Sequence, residues 1–146
     1  MAYPPLVVYG SASEYRSRFE RMYCQAPIIT FDGIEVRFRK TDFDHAFYES
    51  VARKDDTFSR SRAERIDWIQ VALQDPDAER YIGWDRIRKR YDKARRVVIV
   101  MGNYVVVIAM TGHHRARFVT AFVADDRGGE GRVSTIEKIR RGPKWA

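Results

Sequence analysis

The chain has 146 residues, 45% hydrophobic and 13% aromatic, which is enough for one domain with its own core. Its 27 lysines and arginines outnumber 20 acidic residues for a net charge of +7, which favours a polyanionic partner. No apolar run approaches the roughly 18 residues of a membrane span, and the lone Cys24 excludes an internal disulfide and argues against a thiolate zinc site.

In chain order, Tyr3 to Tyr9 reads as a short apolar strand or an ordered arm containing Pro4 and Pro5. Ser11-Ala12-Ser13-Glu14 is a capping box that predicts a helix to about Gln25, which Pro27 stops. Ile28 to Arg39 predicts two short strands turned at Asp32-Gly33, with Ile34, Val36 and Phe38 alternating against Glu35, Arg37 and Arg39. His45 follows on this strand, in Phe43-Asp44-His45-Ala46-Phe47.

A second capping box, Ser61-Arg62-Ala63-Glu64, predicts a helix with Ile66, Ile69 and Leu73 as its apolar stripe, closed by Pro76. The stretch from Arg86 to Arg96 holds seven basic residues opposed only by Asp92. Three β-branched strands follow: Val97 to Met101, Tyr104 to Met110 after a Gly102-Asn103 turn, and Arg117 to Ala124. Asp125 to Gly131 reads as a polar loop, and Ser134 to Arg141 as a closing element of either type. This order predicts an α+β domain, with N-terminal helices packed on an antiparallel sheet of about four strands. Residues 1–26 form an arm plus helix and 27–146 the core.

Histidine has the unperturbed pKa nearest neutrality, so His45 in a basic protein is the minimum equipment for acid–base chemistry on a phosphodiester, although a structural hydrogen bonder reads the same way. Arg62, at a helix N-terminus, can complete a phosphate site or lie over Trp68. Simple alternation in the last strand groups Thr120 with Phe118 and Phe122. On an open face the hydroxyl would bind phosphate while a ring stacks a base; on the inner face Thr120 would be a core β-former. The basic clusters suit nucleic acid, a solvated face or an acidic protein. The adjacent His113 and His114 lack a third ligand at metal spacing, and Asp125-Asp126 reads as a turn, so no metal and no cofactor are expected.

Taken together as an ordered set, Phe43-Asp44-His45-Ala46-Phe47, the segment Phe58 to Ile69, the strand Tyr104 to Ile108 and Arg117-Phe118-Val119-Thr120-Ala121-Phe122 resemble the phage and toxin nuclease-like domains grouped with barnase, EndoU, colicin-D and RelE. The resemblance spans roughly residues 38–145. It implies a metal-independent ribonuclease of a bacterial or phage toxin, acting on RNA in the cytoplasm, with an acidic antitoxin or immunity protein as a partner and no membrane association. It also implies catalytic roles for His45, Arg62, Thr120 and Lys138, with Ser134 as a further match on the substrate. The residues' own charge and strand pattern add Arg37, Arg115, Arg117, Arg140 and Lys144, with Phe118 as a stacking ring, to the expected substrate surface. The chain departs from the pattern in lacking a well-placed histidine near its C-terminus, which leaves the second proton carrier open. A different class of reading is a non-catalytic nucleic-acid or protein binding module on the same fold.

Overall fold

The computed structural model describes residues 3–54, 56–85, 89–91, 96–124 and 135–145. It contains α1 (Ala12–Tyr23), β1 (Ile28–Ile29), β2 (Glu35–Arg37), α2 (Asp42–Phe47), β3 (Tyr48–Glu49), β4 (Thr57–Phe58), α3 (Arg60–Ala63), α4 (Trp68–Gln74) and β5 (Glu79–Ile82). A hairpin of β6 (Trp84–Asp85) and β7 (Arg90–Tyr91) precedes β8 (Arg96–Met101), β9 (Tyr104–Met110), β10 (Arg115–Val123) and α5 (Thr135–Arg140).

The class is α+β, but the main sheet has six strands in the order β1-β2-β10-β9-β8-β5 and is mixed. The three predicted meander strands pair antiparallel as expected, whereas β2 joins β10 in parallel. Helices are not all N-terminal either, since α5 follows the sheet. The extra strand at the β8 side, β5, carries Glu79 and Arg80, so its sequence lacks the apolar run that marks β8 and β9.

One face of the sheet receives α1 to α4. Val97, Ile99 and Met101 of β8, Tyr104, Val106 and Ile108 of β9, and Ala116, Phe118 and Ala121 of β10 share a core with Tyr15, Phe19 and Tyr23 of α1 and Ile69, Ala72 and Leu73 of α4. Phe19 is its hub, with ring centroids of Tyr23, Phe38, Phe43, Phe47 and Phe118 all within 6.3 Å. The opposite face carries a smaller cluster of Tyr81, Val100, Val105, Ala124 and Ile136, with Val98, Val107, Phe122 and Ile139 packed against it.

Residues 3–10 form an arm rather than a strand. The Tyr3 ring stacks on Trp68 at 4.5 Å, the Trp68 indole N–H donates to the Pro4 carbonyl at 2.8 Å, and the Tyr15 hydroxyl donates to the Val7 carbonyl at 2.8 Å. Gly102, at φ +65°, turns β8 into β9, and a Cβ there would run into the Tyr3 hydroxyl. A bidentate Arg18–Asp67 pair, 2.9 and 2.8 Å, ties α1 to the start of α4 and raises the Arg18 pKa.

Two helix starts differ from expectation. Ser11 does precede α1, but its hydroxyl meets the Glu14 carboxylate at 3.1 Å instead of a backbone amide. The second helix begins two residues early, with Ser59 as its cap accepting from the Arg62 amide, and it breaks after one turn before α4 resumes. No helix among the described residues is long and apolar enough to cross a membrane.

Candidate nucleic-acid interface

His45 lies on a helix and not at a strand end. Phe43, Ala46 and Phe47 face the core at the i, i+3, i+4 spacing of one helical turn, which leaves His45 exposed. The buried Asp42 carboxylate accepts from the Arg39 amide at 2.8 Å and so sets where α2 begins. The helix packs against β10, and the Thr120 hydroxyl points to the His45 backbone carbonyl at 3.4 Å.

Thr120 occupies that position because β10 contains a bulge. Phe118 pairs with Ile108 and Thr120 with the next residue along β9, Val107, so Val119 is the extra residue and the alternation changes phase. Phe118 and Ala121 therefore point into the main core, whereas Arg117, Thr120 and Phe122 share the other face with Val107. This corrects the grouping of Thr120 with Phe118. It also removes Phe118 from the substrate surface: its side chain is 0% exposed and stacks on Phe38 at 4.7 Å, so no base can reach it.

Arg62 reaches the same neighbourhood through β3. Its guanidinium donates to the Tyr48 carbonyl at 3.4 Å and stands 3.8 Å from the Glu49 carboxylate, while α3 also packs on β10. The ring of Trp68 is covered by Arg65, 5.2 Å from its centroid, and not by Arg62.

Beyond Glu49, the Asp56 carboxylate accepts backbone N–H bonds from Val51, Ala52 and Arg53 at 2.8 to 2.9 Å. Those bonds favour the charged form and lower the Asp56 pKa to about 2. Because the folded value is depressed, the turn's stabilisation is present above the unfolded value of about 3.9 and is lost as pH falls towards the folded one. The amide shifts of Val51, Ala52 and Arg53 should therefore titrate with a midpoint near 2. In Asp56→Ala, trypsin should cut after Arg53 and Lys54 faster than in the parent; equal rates would mean the carboxylate does not hold the turn.

The sheet's second face carries a row of arginines. Arg37 of β2 pairs in register with Arg117 of β10, Arg117 with Ala109 of β9, and Ala109 with Arg96 of β8. Their neighbours Val36, Ala116, Ile108 and Val97 all point into the main core, which puts the three arginines on the opposite face. Three strand spacings make the row about 14 Å long. Arg37 and Arg117 are exposed and directly opposite, an arrangement that costs stability through like-charge repulsion; Glu35, 4.0 Å from Arg37, offsets part of it. Arg96 was visible only as the edge of a basic cluster, because cross-strand register leaves no trace in local sequence.

Arg115, two residues before Arg117 on the same face, stands opposite Glu35. The remaining expected residues lie elsewhere. Arg140 donates to the Glu79 carboxylate at 2.9 Å and to the Gly102 carbonyl at 3.1 Å, and Lys144 bridges to Tyr81 of β5, three strands away from β10. Neither joins His45 and Thr120. Lys138 is exposed on α5, whose Ile136 packs on the arginine side of the sheet. Ser134, the Asp125 to Gly131 loop, and Arg86, Arg88, Lys93 and Arg95 of the basic stretch fall outside the described residues.

The rings of His113 and His114 meet at 4.7 Å and 75° in the turn between β9 and β10. Among the described residues, no group of three or more histidine, cysteine, aspartate or glutamate side chains is arranged to hold a metal ion. In comparisons with known proteins, no family model, no curated protein and no solved structure matches the chain.

Proposed function

We propose that the protein is a metal-independent endoribonuclease of a bacterial or phage toxin type, which lays single-stranded RNA across the Arg37, Arg117 and Arg96 row. The observation that carries this reading is that row, built from three strands on one face, with Thr120, whose hydroxyl meets the His45 carbonyl, farther along β10 from Arg117. Like charges held opposite one another on a sheet are a cost that a bound polyanion turns into a gain. The RNA 2′-hydroxyl attacks the adjacent phosphorus, the bond from phosphorus to the 5′-oxygen breaks, and a 2′,3′-cyclic phosphate is left. His45 takes the proton of the 2′-hydroxyl and returns one to the departing 5′-oxygen, Arg62 offsets charge on the phosphoryl oxygens, and Thr120 holds α2 in place through the His45 carbonyl. A small acidic inhibitor that covers the same row is the expected protein partner, and the cytoplasm the expected place of action.

Arg62 already engages the Tyr48 carbonyl and the Glu49 carboxylate, and this specific observation favours a second reading, an RNA-binding module without catalysis. Cleavage assays separate the two. Purified protein should cut RNA in excess chelator; activity abolished by chelation and restored by magnesium or zinc would sink the metal-free mechanism. Arg37→Ala and Arg117→Ala should each flatten the log-log dependence of RNA affinity on salt by about 0.7. Slopes unchanged in both variants would remove the row from the interface.

A further inference from the structure

We propose that the groove between the β1–β2 turn and the β9–β10 turn is a nucleobase subsite, which admits an amino-bearing base of the bound RNA and turns uracil away; this rests on the RNA reading above. The groove encloses about 650 Å³ and is lined by Gly33, Glu35, Thr111, His113, His114 and Arg115. That size falls within the range of small-ligand sites, roughly 300 to 1,000 Å³.

Its position follows from register. Glu35 and Arg115 face each other one step along β2 and β10 from Arg37 and Arg117, on the same side of the sheet. A strand lying on the arginine row therefore passes the mouth of the groove with a base about 7 Å away. Gly33, at φ +90°, makes the turn of the near wall, and a Cβ there would meet only open space. On the far wall the two imidazole rings stand nearly perpendicular, so one offers its face for stacking while the other borders the base edge.

Glu35 decides which base fits. Its amide donates to the His114 carbonyl at 2.8 Å, which joins the two walls, and its carboxylate is 4.0 Å from Arg37. An ionised carboxylate only accepts hydrogen bonds. Adenine, guanine and cytosine present amino hydrogens on their pairing edges. Uracil presents one N–H between two carbonyls, whose lone pairs oppose the carboxylate. Arg115, on the far wall beside His114, supplies the cation for the adjoining phosphate.

Fluorescence anisotropy with labelled oligoadenylate, oligocytidylate and oligouridylate of equal length tests the subsite. Wild type should bind the first two more tightly than oligouridylate, by roughly five- to a hundredfold. Glu35→Gln supplies an amide that both donates and accepts, and it should shrink that ratio by tightening oligouridylate. Gly112→Trp fills the groove from a position where a Cβ meets only the Arg115 Cβ at 3.8 Å; it should abolish the preference while leaving the salt slope intact. Equal affinity for all three oligomers in wild type, or a preference untouched by both variants, overturns the subsite alone. Failure to bind any oligomer overturns the RNA reading and the subsite with it.

Discussion

His45→Ala should lower the rate of RNA cleavage by roughly two to four orders of magnitude, the range lost with a principal acid or base. The side chain is exposed at the end of α2, so its removal opens no cavity in the core, and circular dichroism and melting should match the parent. Thr120→Val is the companion experiment. It preserves the shape, deletes the hydroxyl that meets the His45 carbonyl, and should slow cleavage with little change in RNA affinity. A folded His45→Ala protein that cuts at the parental rate would return the histidine to a structural role and favour the binding module.

Phe19→Ala should cost about 3 to 5 kcal/mol of folding stability. Phe19 is 0% exposed and touches five other aromatic rings contributed by α1, the β2–α2 segment, α2 and β10. Removing it breaks the edge-to-face contacts with Phe38, Phe43 and Phe47 together, and the neighbouring rings are held by one another and cannot readily collapse into the gap. Because the same rings seat α2 on the sheet, the variant should lose RNA cleavage at temperatures where secondary structure persists. Chemical denaturation with an unchanged midpoint would show that the aromatic hub is not what anchors the helices.

The three long strands, of six, seven and nine residues, were legible because β-branched runs between turn signals have few other outcomes, and the Asp32-Gly33 turn because glycine supplies the positive φ. Shorter elements were not. Glu79–Ile82 mixes charge with apolar residues and becomes a strand only by pairing with β8. Helix α2 did carry a signal, Phe43, Ala46 and Phe47 at helical spacing, yet a single turn is too short to outweigh the strand pattern before it. For the site, residue types were readable and their neighbours were not: Arg37 and Arg117 are 80 positions apart and meet through a parallel pairing that local periodicity cannot encode. Phe118 was misplaced because one added residue in a strand is invisible to a period-two count.

That added residue makes β10 a strand with two reading frames. Before Val119, the even-numbered positions Ala116 and Phe118 build the core and the odd-numbered arginines meet solvent. After it, the odd-numbered Ala121 builds the core and the even-numbered Thr120 and Phe122 turn outward. Were Val119 instead to take a place in the ladder opposite Val107, Thr120 and Phe122 would turn inward and Ala121 outward, so the bulge is what keeps an alanine in the core at this point. Deleting Val119 would close the bulge with Phe118 still opposite Ile108 and Thr120 still opposite Val107, and should therefore leave every later side chain of β10 on its present face.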